Sequence, residues 1–174
     1  VVILSGWTKT IVFIFLAPFI GAILGFTILI ITMWIGKRFK FQTVNRAAWF
    51  LQLVSSAFYS IWHGANDAQK TMGIIMSLLL SVQLVTPWSD IPMWIVIGAY
   101  VAISLGTLMG GWKIMKTMWS GIVKLTQIDG FAANSASAIS LFTASFFGVP
   151  VSTTHVITGA ISGVWAAKNA RAVK

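Results

Sequence analysis

Asp67 is one of three acids in a 174-residue chain, and it stands in Trp62-His63-Gly64-Ala65-Asn66-Asp67-Ala68-Gln69-Lys70, between two long apolar stretches. A carboxylate at membrane depth costs roughly 2.5–3.5 kcal/mol or more unless paired or wetted, so this run points to an ion or anion site. Asn66 and Asp67 offer amide and carboxylate oxygens of the kind that hold a hard cation or a proton, and Lys70 offers positive charge to an anion. Asp67 and Lys70 also stand three apart, the spacing of a helical ion pair, so mutual neutralisation is the competing reading. Asn66 or Asp67 would further serve as the N-cap of a helix running on to Leu84.

A second cluster lies in Gly148-Val149-Pro150-Val151-Ser152-Thr153-Thr154-His155. Pro150 fixes a turn, and Ser152 is placed to cap the segment that follows. Three hydroxyls together with the first N–H groups of a helix make an anion site, provided the loop is buried in protein or lines a wet cavity. A capped surface turn is the plainer alternative. His155 could relay a proton or simply be a packed histidine. Upstream, Asn134, Ser137 and Ser140 recur at three-residue steps, which suits helix packing through hydroxyls, or a lined path.

Other chemistries find no support. The chain has no cysteine, no HExxH, no phosphate-loop glycine pattern and no paired carboxylates, so neither a metal site nor an enzyme is expected. A Ser-His-Asp set could be assembled from the inventory, but no nucleophile-elbow spacing accompanies it.

The elements that must position these groups follow from composition. The chain is 57% hydrophobic and 9% charged, against about 25% charged in a soluble domain, so lipid is its solvent. Nine Trp, several near segment ends, fit interfacial anchoring. The net charge of +9 is gathered at Lys37–Arg46, Lys113–Lys124 and Lys168–Lys174, which reads as cytoplasmic flanks rather than a nucleic-acid surface.

An all-α, polytopic membrane protein is expected, with spans at 10–35, 47–62, 71–85 and 93–109 in a single transmembrane domain. An interfacial helix over 111–127 and hairpin arms at 131–147 and 152–167 complete it. The polar run 63–70 is expected to break its helix, as discontinuous helices do at transporter binding sites. Pro18 is expected to kink the first span. Gly21/Gly25 and Gly106/Gly110 each form a small-xxx-small packing face, with Gly159/Gly163 a further one. Pro87–Pro92 is a turn. The opening Val1-Val2-Ile3-Leu4, without Met or a leader pattern, is expected of a fragment or an unusual start codon.

At the two motifs His63–Gly73 and Gly148–His155 the chain resembles the inorganic phosphate transporter (PiT) family, its bacterial low-affinity branch in particular. The motifs stand in the right order, and the likeness covers the whole chain as the second half of a family member. It implies one inverted-repeat half, a broken helix, a helical hairpin, and a symporter of inorganic phosphate in the bacterial inner membrane. It implies that Asn66 and Asp67 serve the cation-coupling and phosphate region and that Ser152, Thr153 and Thr154 donate hydrogen bonds to phosphate. Lys70 is a further substrate contact and His155 a further ion-coupling candidate.

No cofactor is implied beyond the coupling ion, proton or sodium. Lys70 favours the proton, with a metal–phosphate complex as conceivable cargo. The missing first repeat, or a second copy in a homo-oligomer, would supply the rest of the site. A sulfate permease, a sodium-coupled symporter and an inactive module needing a partner are the alternatives.

Overall fold

A computed structural model describes residues 4–86, 89–121, 125–149 and 151–172. Among these residues all regular structure is helical: α1 (Leu4–Gly36), α2 (Phe41–Ser81), α3 (Met93–Gly121), α4 (Gln127–Phe146) and α5 (Thr153–Ala172). Two stretches, Ile11–Gly36 and Met93–Trp112, are long and apolar enough to cross a bilayer. At 1.5 Å per residue the 20-residue α4 and α5 each reach about 30 Å.

Size is sorted in the sense that lipid demands. Alanine is the commonest buried residue, with Ala132, Ala136 and Ala160 fully buried beside Leu29, Leu141 and Val164, while Phe15, Phe19 and Ile23 keep about two-thirds of their surface exposed. Water would reverse that order; a hydrocarbon solvent does not, because large apolar side chains gain nothing by leaving it while small ones let backbones approach.

Two expectations fail. α2 is not interrupted at 63–70 but runs unbroken through it for 41 residues. Polarity does not end a helix. The run has no proline, its Ala, Gln and Lys are good helix formers, and it satisfies its own side chains along the helix. Asn66 and Asp67 are therefore interior residues of α2, not N-caps. Likewise α3 passes through Gly110-Gly111 to Gly121, so no separate helix begins at 111, and residues 122–124 lie outside the described set. The chain does turn where its backbone is forced to. Gly148 (φ 62°) is the described glycine with positive φ, and Gln83 (φ 59°) the described non-glycine residue. α1 continues through Pro18. Pro150, Pro87 and Trp88, on which the turn assignments partly rested, lie outside the described residues.

The chain forms two compact units. One comprises Val1–His63 and Lys124–Lys174, the other Gly64–Val123. In the first, α1 and α5 touch backbone to backbone. A Cβ at Gly159 would overlap the carbonyl oxygen of Pro18, and one at Gly163 that of Ala22, with Gly21 and Gly25 meeting Val156 and Ala160 in return. α4 completes the core, where Leu29, Ala132, Ala133, Ala136, Ala160 and Val164 pack together. In the second unit Ala68 and Met72 of α2 pack on Ile95 and Ala99 of α3.

Candidate functional site

The elbow between α4 and α5 is built by its backbone. α4 ends with Gly148 N–H bonded to the Ser145 carbonyl (3.1 Å) and Val149 N–H to that of Ala144 (2.9 Å). That paired pattern around a left-handed residue is the Schellman cap, and glycine takes the conformation without a Cβ clash. Val149 then packs with Ala144, Leu141, Val151 and Val156 in a small apolar cluster, which fixes the elbow against the bundle.

α5 starts at Thr153, directly after Ser152, as the capping expectation required. His155 N–H donates to Ser152 Oγ at 3.4 Å, long for an N-cap bond. Val156 N–H bonds the Ser152 carbonyl (3.1 Å). Thr153 is buried, Ser152 half-buried, and Thr154 and His155 exposed. A first helical turn carrying three hydroxyls has the donors and the positive dipole end that an oxyanion needs.

The first cluster belongs to the other unit. Asn66 is buried, Asp67 half-buried, and Lys70 exposed. Lys70 Nζ donates to Asp67 Oδ1 at 3.0 Å, so the three-residue spacing is realised as an ion pair. Thr71 Oγ1 reaches the Asp67 carbonyl at 3.4 Å. One turn earlier, in the first unit, His63 Nδ1 lies 3.1 Å from the Tyr59 hydroxyl, edge-on to its ring.

The hydroxyl face of α4 is mostly internal bookkeeping. Ser137, Ser140 and Thr143 each donate to the carbonyl four residues earlier at 2.8 Å. Asn134 instead crosses to α2, its Nδ2 donating to Ser56 Oγ at 2.7 Å. Ser145 differs from all of them: its Oγ is buried and has no hydrogen-bond partner among the described residues. A cleft of about 330 Å³ opens between α2 and α4, lined by Leu51, Val54, Phe58, Phe131 and Phe142 among others. Its walls are mostly apolar, with Ser55 and Ser135 the polar side chains on them, and none of Asn66, Asp67, Lys70, Ser152, Thr153, Thr154 and His155 lines it.

One ionic group was not foreseen. Asp129, in the first turn of α4, accepts from Thr126 N–H (2.7 Å), Thr126 Oγ1 (2.8 Å) and Lys168 Nζ (2.6 Å), all on Oδ2. Its side chain is 3% exposed. The local half was readable, since Thr126-x-x-Asp129 follows the capping-box pattern. The partner 39 residues away was not.

A model of the phosphate transporter family matches residues 1–174. A protein of Rhizobium meliloti (strain 1021), named "Probable low-affinity inorganic phosphate transporter", is 46% identical over 173 residues, covering 99% of this chain and 52% of its own length. A protein of the same name from Bacillus subtilis (strain 168) is 40% identical over 169 residues, covering 97% and 51%. The chain thus spans about half the length of the curated relatives it matches. No solved structure matches it significantly. With a family match over its full length and an interior sorted for lipid, the chain is a helical membrane protein that belongs to the phosphate transporter family.

Proposed function

We propose that the chain is one half of a secondary active symporter for inorganic phosphate, a multi-pass protein of the bacterial inner membrane. The observation that carries the reading is the start of α5, where Ser152, Thr153 and Thr154 follow a glycine-capped elbow and join their hydroxyls to the helix's first N–H groups. A tetrahedral oxyanion is held by several converging donors at a helix N-terminus. Ser152, Thr153 and Thr154 donate to phosphate, Asn66 and Asp67 serve the coupling cation and the substrate, Lys70 adds positive charge, and His155 stands on the ion side. The first half, or a second copy of the chain, supplies the remaining ligands. The protein is a transporter, not an enzyme, and carries no cofactor.

The coupling ion is a proton. Lys70 Nζ already occupies Asp67 Oδ1 at 3.0 Å, and a sodium ion bound there would face a fixed ammonium. A metal–phosphate complex is a compatible cargo.

Uptake of labelled phosphate into vesicles by the complete protein should stop with a protonophore, persist without sodium, and resist excess sulfate. Thr153→Val, which keeps shape and deletes a donor, should raise the phosphate KM while the protein remains inserted. A strict sodium requirement would sink proton coupling, and equal inhibition by sulfate would make the protein a broader oxyanion permease. An unchanged KM in Thr153→Val would remove the elbow from the site.

A further inference from the structure

We infer that the Asp129–Lys168 ion pair is a positioning clasp for the elbow, fixing α4 against α5 at the end of the hairpin remote from Ser152, Thr153 and Thr154. Its functional meaning rests on the phosphate reading of the elbow; the geometric claim stands without it.

Asp129 Oδ2 is first anchored to its own helix, by the backbone N–H and hydroxyl of Thr126. Lys168 therefore grips a fixed point. The pair is short (2.6 Å), and its carboxylate is almost fully buried. Asp129 lies in the first turn of α4 and Lys168 near the end of α5, so each charge also complements the dipole of its own helix.

α5 has little freedom to move on its other side, because Gly159 and Gly163 rest on the backbone of Pro18 and Ala22. The clasp extends that rigidity to α4. α4 is then held at both ends, by the elbow and by the ion pair, about 26 Å apart along the helix from Asp129 to Phe146. Released at the base, α4 could slide or splay, and the short elbow would have to follow. A shift of about 1 Å is enough to misplace converging donors. Asp129 and Lys168 touch no substrate in this account; they are positioning residues.

The chain has no cysteine, so one introduced by Phe147→Cys, at an exposed position of the elbow given no part in binding, reports on the elbow alone. Its labelling rate with a membrane-impermeant maleimide is read on folded, detergent-extracted protein. Lys168→Gln, which breaks the clasp and spares the cap, should change the rate by at least about fivefold, the low end of coupling between distant sites. Lys168→Arg should restore it, and Thr126→Ala, which removes one of the two anchors of Asp129 but leaves Lys168 in place, should give a smaller change in the same direction. Should Lys168→Gln fail to fold, Lys168→Met read against Lys168→Arg replaces it. An unaltered rate in the broken pair, or no recovery in Lys168→Arg, would overturn the clasp. A second arm adds inorganic phosphate to the unbroken reporter in the complete protein. Absence of protection there, with the Lys168→Gln effect intact, sinks the phosphate reading of the elbow and leaves the clasp standing.

Discussion

The same spacing of two glycines occurs in α1, α5 and α3, and it does different things. Gly21/Gly25 and Gly159/Gly163 bring α1 and α5 into backbone contact, whereas Gly106 and Gly110 of α3 have nothing within 4 Å of where a Cβ would sit. The ion pairs divide along the same line. Asp129–Lys168 in the first unit is short and buried on the acid side, while Asp67–Lys70 in the second lies within one helix with the lysine side chain 43% exposed. Even the helix ends differ. α4 closes on Gly148, but α2 makes the same paired cap around Gln83, with Leu84 N–H on the Leu79 carbonyl (3.0 Å) and Gln83 N–H on that of Leu80 (3.1 Å). A small-xxx-small motif is thus a permit for close approach, and a partner must use it.

The largest effect should come from filling the used permit. Gly163→Leu drives a side chain into the Ala22 backbone, which cannot yield as a flexible side chain would. No folded chain should be recovered from membranes, and a normal yield would mean that α1 and α5 do not pack as described. Next comes Asp129→Asn. Removing one partner of a buried pair costs about 3–5 kcal/mol, and the part-exposed Lys168 places this variant near the lower end. Reversible unfolding in mixed micelles would measure it, and a loss comparable to that of Lys70→Ala would erase the contrast between the two pairs.

The caps supply a mirrored test of intermediate size. Gly148→Ala forces a Cβ into a left-handed position and should destabilise by about 1–2 kcal/mol, whereas Gln83→Gly should stabilise by a similar amount. Equal signs would show that one of the two turns is not left-handed. Lys70→Ala breaks a pair that lies within one helix and joins no two helices, so it should cost less stability than Asp129→Asn, whatever it does to uptake.

The helical class, the hairpin and the α1 and α5 glycine faces were legible because each depends on residues close in sequence: apolar run length, a polar break between two apolar arms, and glycines four apart. The elbow lies where the sequence puts it, but the reading rests on Pro150, outside the described residues, whereas the left-handed residue that closes α4 is Gly148. The polarity of His63–Lys70 suggests a break that the backbone does not make, because Ala65, Ala68, Gln69 and Lys70 all favour helix. Lys168 as the partner of Asp129 was out of reach; a basic residue near a chain end looks like any membrane flank until α5 folds back on α4. Ser145 had a partial signal, a hydroxyl two residues before the turn, but nothing in the sequence separates it from Ser140 or Thr143, whose hydroxyls are satisfied by their own helix.

The smallest expected effect sharpens the contrast most. In open space Gly110→Ala removes only the conformational penalty of a helical glycine, so this chain should gain about 0.5 kcal/mol. The chain spans about half the length of its relatives, and the same substitution in a complete protein need not share that sign. If Gly110 there lies against another helix, the added methyl meets backbone and the variant is destabilised, as at Gly159 or Gly163. A gain in the half and a loss in the whole would show that the Gly106/Gly110 permit is used by a helix outside this chain. A gain in both would leave α3 facing lipid along that edge, and a loss in the half alone would contradict the open surface described for Gly110.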